Sequence, residues 1–434
     1  MKMEEIHVPV YDNSPSIEQI LRPISYTSWF MGVGIARPRK YPKIVTIIIR
    51  IVRLAVCSVS VVYNVIDLLN FSSIANFDSH IFMLIYFMNF AMCYISAYYF
   101  LYHGIRQYDM WPKLMDKIKE LDQKIKRETN VNNQSVKKAV AAILTIFAFC
   151  PFLLIVHNLY GFIHSHYIFL SDILFYIILA QSLINSFVFD VVVYVLYYRF
   201  KTLNKLISQL NKSPSASWIA LKIGRIRRLH ADVCDLVIMV NDIYGLHLLL
   251  CAANCFAMVV ATLFRIYMVV VKKYYDNIYY YLFINNIVCI LYTTQFGLAC
   301  WICTLACQEF NKTGIIICTI ALKYKSVNFD ILHETRIQLD LEVQLEDLNS
   351  KQSFDCTSNL NYGIIENLLR RDLDRECIRN EINDFSLQLQ HRRVAFTACN
   401  FFEMSNALFC GVSTKFIYFF IIYVILITYE LQCK

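Results

Sequence analysis

Long apolar runs alternate with shorter charged stretches along this chain. Seven runs meet the roughly 20 apolar residues that a helix needs to cross a hydrocarbon core: about 46–70, 81–105, 139–162, 170–198, 245–271, 279–310 and 405–429. In the first, Arg50 and Arg53 leave a charge-free stretch only from Leu54 to Ile66, and both side chains are expected to snorkel to the membrane surface. Three charged stretches keep a helical apolar period of their own: Trp111, Leu114, Met115, Ile118, Leu121 and Ile125; then Ile219, Ile223, Ile226, Leu229, Val233, Leu236, Val240 and Ile243; then Ile378, Ile382, Phe385 and Leu389. Each predicts one apolar stripe on a charged helix, which packs against protein rather than lipid. The fourth run continues as a helix through "YYRFKTLNKLISQL", and the fifth begins near Ala216, with a short connection around Ser213-Pro214-Ser215. From Asn328 to Arg375 an acidic helical part, "RIQLDLEVQLEDL", precedes a polar part, "NSKQSFDCTSN", expected to be flexible.

The predicted fold is all-α, a polytopic membrane protein of seven transmembrane helices, several of which extend beyond lipid into a bundle. Composition agrees: 57% of the 434 residues are hydrophobic and 17% charged, against about half and a quarter in soluble domains. The formal net charge of +8 forms no single basic stripe, so nucleic acid is excluded as a partner.

The same charges set an orientation. Lys and Arg number 34 in the N-terminal segment and alternate loops, and three in the remaining loops and the C-terminus. Cytoplasmic loops carry the excess, so the N-terminus is expected in the cytosol and the C-terminus outside. G-protein-coupled receptors have the reverse sidedness, and their Asp-Arg-Tyr and Asn-Pro motifs are absent from the expected places. A secondary transporter is the other alternative, favoured by the intramembrane charges Asp190, Arg265 and Lys415, but it predicts an internal repeat that is not found. Asn70-Phe71-Ser72 is the one glycosylation sequon expected outside.

Catalytic and metal chemistry find little footing. Cys300, Cys303 and Cys307 are helically spaced, yet no His or carboxylate accompanies them in that short stretch, and small residues packing between helices account for them. The histidines are scattered, so no enzyme, metal or cofactor is read. Binding chemistry is better represented. Polar groups at membrane depth usually face a cavity or one another, and in the expected outer halves these are Asn89, His157, Asn158, Gln181, Asn185, Arg265, Asn285 and Asn286, with Tyr94, Tyr98 and Tyr267 nearby. Asp190, Asn254 and Gln295 lie deeper. Aromatic walls with a few amides suit a small organic ligand, while hydrogen bonds between helices are the competing use of the same groups.

Residues 381–404, "EINDFSLQLQHRRVAFTACNFFEM", resemble the segment leading into the last span of insect gustatory receptors. There a Gln-Leu-His-rich helix precedes Phe-Thr-Ala-Cys-Gly-Phe-Phe. Gln388, Leu389, His391, Phe396, Thr397, Ala398, Cys399, Phe401 and Phe402 match, with Asn400 in the glycine position. The resemblance implies a tastant-gated, non-selective cation channel in the plasma membrane, a homo- or hetero-oligomer of related receptor subunits, tetrameric in form. It implies four regions: a cytoplasmic segment 1–43; transmembrane helices 1–6 over 44–311, with the ligand pocket in the outer half; a long cytoplasmic loop 312–385; and a seventh-helix region 386–434, cytoplasmic over 386–402 and pore-lining over 405–429. The helices outside lipid would form the anchor joining the subunits. Lys415, Tyr418, Phe419, Ile422, Tyr423, Ile425, Leu426 and Tyr429 would line the pore or gate. The family's Thr-Tyr and Gln-Phe pairs are missing from this last span; a gate of Ile425 and Leu426 would close by dewetting. Outer halves almost without carboxylates, Asp67 and Asp172 apart, point to bitter or plant-derived tastants rather than sugars.

Overall fold

The computed structural model describes residues 15–39, 41–74, 80–129, 133–165, 170–210, 216–272, 278–348, 357–415 and 418. Nine helices are named here, α1 (Ile17–Met31), α2 (Lys43–Ile74), α3 (His80–Arg106), α4 (Met110–Lys126), α5 (Gln134–Ser165), α6 (Leu170–Leu210), α7 (Ala216–Lys272), α8 (Ile278–Leu348) and α9 (Thr357–His391), and residues 406–415 are also helical. One hairpin, β1 (Thr397–Ala398) with β2 (Phe402–Glu403), precedes that last helix. Among the described residues four helical stretches are long and apolar enough to cross a membrane: Lys43–Ile66, Ile173–Leu210, Trp218–Ile266 and Asn286–Tyr324.

Three helices far exceed a membrane's thickness. The 57 residues of α7 extend about 85 Å at 1.5 Å per residue, whereas a hydrocarbon core is about 30 Å thick. Its lysine- and arginine-bearing N-terminal half therefore belongs outside lipid, as the sequence pattern predicts. The helix α6 has 41 residues and α8 has 71, so the acidic stretch "RIQLDLEVQLEDL" continues α8 without a break.

The chain divides into two compact units. One comprises residues 1–195, 239–304 and 396–434; the other comprises 196–238 and 305–395. The second unit is a bundle of the α6 C-terminus, the α7 N-terminus, the second half of α8, and α9. Its centre is His230, fully buried, with ring centroids 5.3 Å from Phe200, 5.3 Å from Phe310 and 5.4 Å from Phe385, one aromatic from each of the other three helices. Polar clasps surround this core. Arg227 meets Glu381 at 3.2 Å and Asp384 at 3.3 Å, and Gly224 leaves space there, since a Cβ would stand 3.0 Å from the Glu381 carboxylate. Asn204 donates to the Glu309 carbonyl at 2.7 Å and accepts from Thr313 Oγ1 at 2.6 Å. Gln388 and Arg392, from the motif-bearing segment, dock on α7 through the Arg227 carbonyl (3.2 Å) and Asp235 (2.6 Å).

In the first unit α1 was not expected. Its signals are local: Ser16 and Gln19 form a reciprocal capping box at the start, and Gly32 ends the helix at φ 74°. After it, residues 32–38 run buried as a loop among α2, α3 and α6. Gly34 sits at φ 64° against Asn185 Oδ1, and a Cβ on Gly104 would strike the Gly34 carbonyl, so both positions need glycine. Residues of the segment 1–43 thus contribute a packed loop to the first unit. Arg50 differs from expectation in the same place. Instead of snorkelling, it is 1% exposed and donates from Nη2 to Gly34 O at 2.8 Å. Arg53 is half-exposed and donates to Phe30 O at 3.3 Å.

Candidate functional site: a buried polar chain and the segment before the last helix

Within the first unit, polar side chains of α6, α7 and α8 connect end to end. Asn185 Nδ2 lies 3.0 Å from His247 Nδ1, and Ser186 Oγ lies 3.3 Å from His247 Nε2. Ser186 spends its own proton on Ser182 O at 3.1 Å, so the consistent assignment has Asn185 donating to Nδ1 and the Nε2–H donating to Ser186. Cys251 Sγ donates to Gln295 Oε1 at 3.4 Å, and Gln295 Nε2 donates to Asp190 Oδ2 at 3.5 Å. All of these residues are buried. Each helix contributes a polar group on a face that is otherwise apolar, and pairing across helices is the way to keep those groups from costing free energy.

The chain of pairs leaves ends open. Asp190 Oδ1, Tyr244 Oη, Asn254 Oδ1, Thr262 Oγ1 and, on α3, Asn89 Oδ1 are buried without a hydrogen-bond partner. Arg265, one helical turn beyond Thr262, lies within electrostatic reach of Cys93 on α3, one turn beyond Asn89. Asn89 on α3 and Asn254 and Thr262 on α7 thus each keep an unsatisfied oxygen, and Arg265 follows Thr262 by one turn on α7. Phe90 extends an aromatic wall, tilted against Phe175 at 4.8 Å and stacked on Tyr94 at 6.4 Å.

The residues expected to line a pocket take several positions. Tyr94 is occupied within the fold, with Ser60 Oγ at 2.7 Å and Asn64 Nδ2 at 2.7 Å. Gln181 donates to the Met31 carbonyl at 2.9 Å, and Asn185 joins the His247 network. Asn89 is buried with its oxygen free, while Arg265 and Asn286 are half-buried. The side chains of His157, Asn158 and Asn285 lie outside the described residues, as do Phe419, Ile422, Tyr423, Ile425, Leu426 and Tyr429. Lys415 is exposed at the end of the last described helical stretch, and Tyr418 is 65% exposed. The sequence reading missed His247, Tyr244 and Thr262. Ordinary helical spacing gives them no signal, because only the register between α6, α7 and α8 decides what they meet.

The hairpin before the last helix explains a residue of the motif. Phe401 N donates to Ala398 O at 2.9 Å, and the two central residues, Cys399 and Asn400, have φ of 51° and 62°. This is the backbone pattern of a type I′ turn, which favours Gly and tolerates Asn because its short amide bonds locally; Asn400 Oδ1 accepts from Thr397 Oγ1 at 3.1 Å. Glycine at this place is thus a conformational requirement that Asn400 also meets. The hairpin is held by Asn241 Oδ1, which accepts from Thr397 N at 3.3 Å, and by Phe396 packed edge-on to Phe189. The following helix starts with Asn406 N donating to Thr304 Oγ1 at 2.9 Å, and Phe409 packs on Gly297 of α8.

A family model described as 7tm Chemosensory receptor matches residues 21–330 and 365–432. The chain belongs to that family. The fold of this chemosensory receptor is similar to two structures of the olfactory receptor OR5 from the insect Machilis hrabei. One has a TM-score of 0.53 and 10% identity over 93% of this chain and 97% of the other. The second, in complex with eugenol, has a TM-score of 0.57 and 10% identity over 94% and 97%. No curated protein matches this chain. The two structural likenesses establish the shared fold.

Proposed function

We propose that this receptor is a tastant-gated, non-selective cation channel of the plasma membrane, assembled as a tetramer, with each subunit binding a small organic molecule between α3 and α7. The reading is carried by the buried polar oxygens of Asn89, Asn254 and Thr262, which a ligand bearing one or two hydroxyl or amine groups would satisfy. Arg265 and Asn286 would complete the polar set, joined by His157, Asn158 and Asn285, and Phe90 would give the aromatic wall. Tyr94, Gln181 and Asn185 would hold that wall through their bonds within the chain. Eugenol, bound by the similar olfactory receptor, supports a small aromatic molecule as the ligand class. The gustatory rather than olfactory assignment rests on the "FTACNFF" motif.

Orientation follows the distribution of Lys and Arg, with the N-terminus in the cytosol, the C-terminus outside, and the second unit on the cytoplasmic side as the joint between subunits. The helix from residue 406 leads into the pore, with Lys415 and Tyr418 at its approach and Ile425 and Leu426 as a dewetting gate. A ligand acts only through its preference for the open state. Moving a closed-to-open ratio from 1:99 to 99:1 takes about 5.5 kcal/mol, or ~1.4 kcal/mol per site in a tetramer, within reach of one or two hydrogen bonds. Inside-out patches bathed in nucleotide-free solution provide the test. Cation currents evoked by small plant aromatics support direct gating, and currents that appear only after GTP is added refute it.

A further inference from the structure

We propose that the buried loop 32–38, with α2 and α3, forms a binding site for a small inorganic anion of the halide class, held by Arg50. The observations are independent of the channel reading. Arg50 is among the largest fully buried side chains; its Nη2 is satisfied by Gly34 O at 2.8 Å, but its Nη1 is buried with no partner. Among the described residues no carboxylate pairs with it. The charged or ionisable groups within electrostatic reach are themselves basic or neutral: Arg37, His103 and Tyr108. Arg37 has its own acid, Asp109 at 3.8 Å, and His103 Nε2 is also buried and unpartnered.

A buried guanidinium without counter-charge is among the costliest groups a fold can hold, and like charges beside it add to the cost. The loop supplies further donors. The amides of Gly32 and Val33 are taken by the carbonyls of Trp29 and Ser28, whereas those of Gly34, Ile35 and Ala36, all buried, meet no acceptor among the described residues. Turns with left-handed residues are where successive amides converge on anions. Size favours a monatomic ion over a phosphate. A Cβ on Gly104 would stand 2.9 Å from Arg50 Cζ, so the α3 backbone closes one side, and a tetrahedral oxyanion would need more donors and more width than one free Nη1 offers. A bound halide would pin the loop to α2 and α3, making the lock between the N-terminal segment and the membrane unit depend on anion.

The test uses the full chain purified in detergent, with its unfolding temperature measured at constant sodium and ionic strength in chloride, bromide, gluconate and phosphate. Chloride and bromide are expected to raise Tm above gluconate by ~3 °C or more, with saturation. Arg50→Met should abolish the difference. Arg50→Lys, which keeps a charge and guards against a variant that fails to fold, should weaken it, and Lys113→Met, an exposed residue on α4, should preserve it. Equal Tm in chloride and gluconate, a halide effect retained in Arg50→Lys and Arg50→Met alike, or stabilisation by phosphate but not halide would each overturn the proposal.

Discussion

Replacing Gly34 by alanine tests the packed N-terminal loop most sharply. Gly34 has φ 64° and its missing Cβ would fall on Asn185 Oδ1. Two costs follow. A left-handed alanine costs about 1–2 kcal/mol. Pushing Asn185 aside breaks its 3.0 Å contact with His247, which leaves a buried imidazole nitrogen unsatisfied at about 1–3 kcal/mol. Gly34→Ala should therefore lose about 2–5 kcal/mol, and Asn185→Ala about 1–3 kcal/mol through the same broken bond. Because the second cost is shared, the double variant should lose less than the sum of the singles, by about 1–3 kcal/mol. Denaturant unfolding of the purified chain gives the three values, with tryptophan fluorescence as the probe. Costs that add to within ~0.5 kcal/mol would show that Gly34 and Asn185 do not meet as described.

Three further outcomes follow from other parts of the fold. His230 is buried in its aromatic cage, and burial, with a smaller push from Arg392, holds its imidazole down to about 3; the unfolded chain thus binds the proton more readily, so stability is full above pH 6.5 and falls below it. The share due to His230 should be about 2 kcal/mol between pH 6.5 and 5, read as the difference between wild type and His230→Leu over that range, and equal losses in the two chains count against a buried neutral imidazole. At the hairpin, Cys399→Gly should be neutral or raise stability by up to ~1 kcal/mol and Asn400→Val should cost ~1–2 kcal/mol, since both positions are left-handed; thermal unfolding would reveal the reverse order if the turn were of another type. Phe385→Ala, which empties one wall of the His230 cage, should cost about 3–5 kcal/mol, and a loss under 1 kcal/mol in the same assay would mean that α9 does not close the second bundle.

Much of this architecture was legible because it is periodic. Trp111, Leu114, Met115, Ile118, Leu121 and Ile125 are all buried, as are Ile219 through Ile243 at the stripe positions, and Ile378, Ile382 and Phe385. The stripe on α7 continuing into an apolar run was enough to read the two as one helix. What stayed hidden depends on register between elements. The loop at Gly32 and Gly34 breaks helical periodicity, and its two glycines in an apolar setting, "MGVGIA", are the sole local hint that backbone approaches backbone there. The partners of Gln181, Asn185 and Tyr94 could not be read, because a polar residue on a helix says only that something polar must meet it. Asn400 could be flagged as a departure from the family motif, but its reason became visible only with φ at 62°.

The central claim is that a ligand opens an ion path lined by the last helix. Cysteine substituted for Tyr418, which is 65% exposed on the protomer, tests it directly when a charged methanethiosulfonate reagent is applied during ligand-evoked current. The account predicts that Tyr418→Cys channels, and not wild type, lose conductance irreversibly, and faster with ligand present. Modification confirmed by mass spectrometry with current unchanged would place the ion path elsewhere.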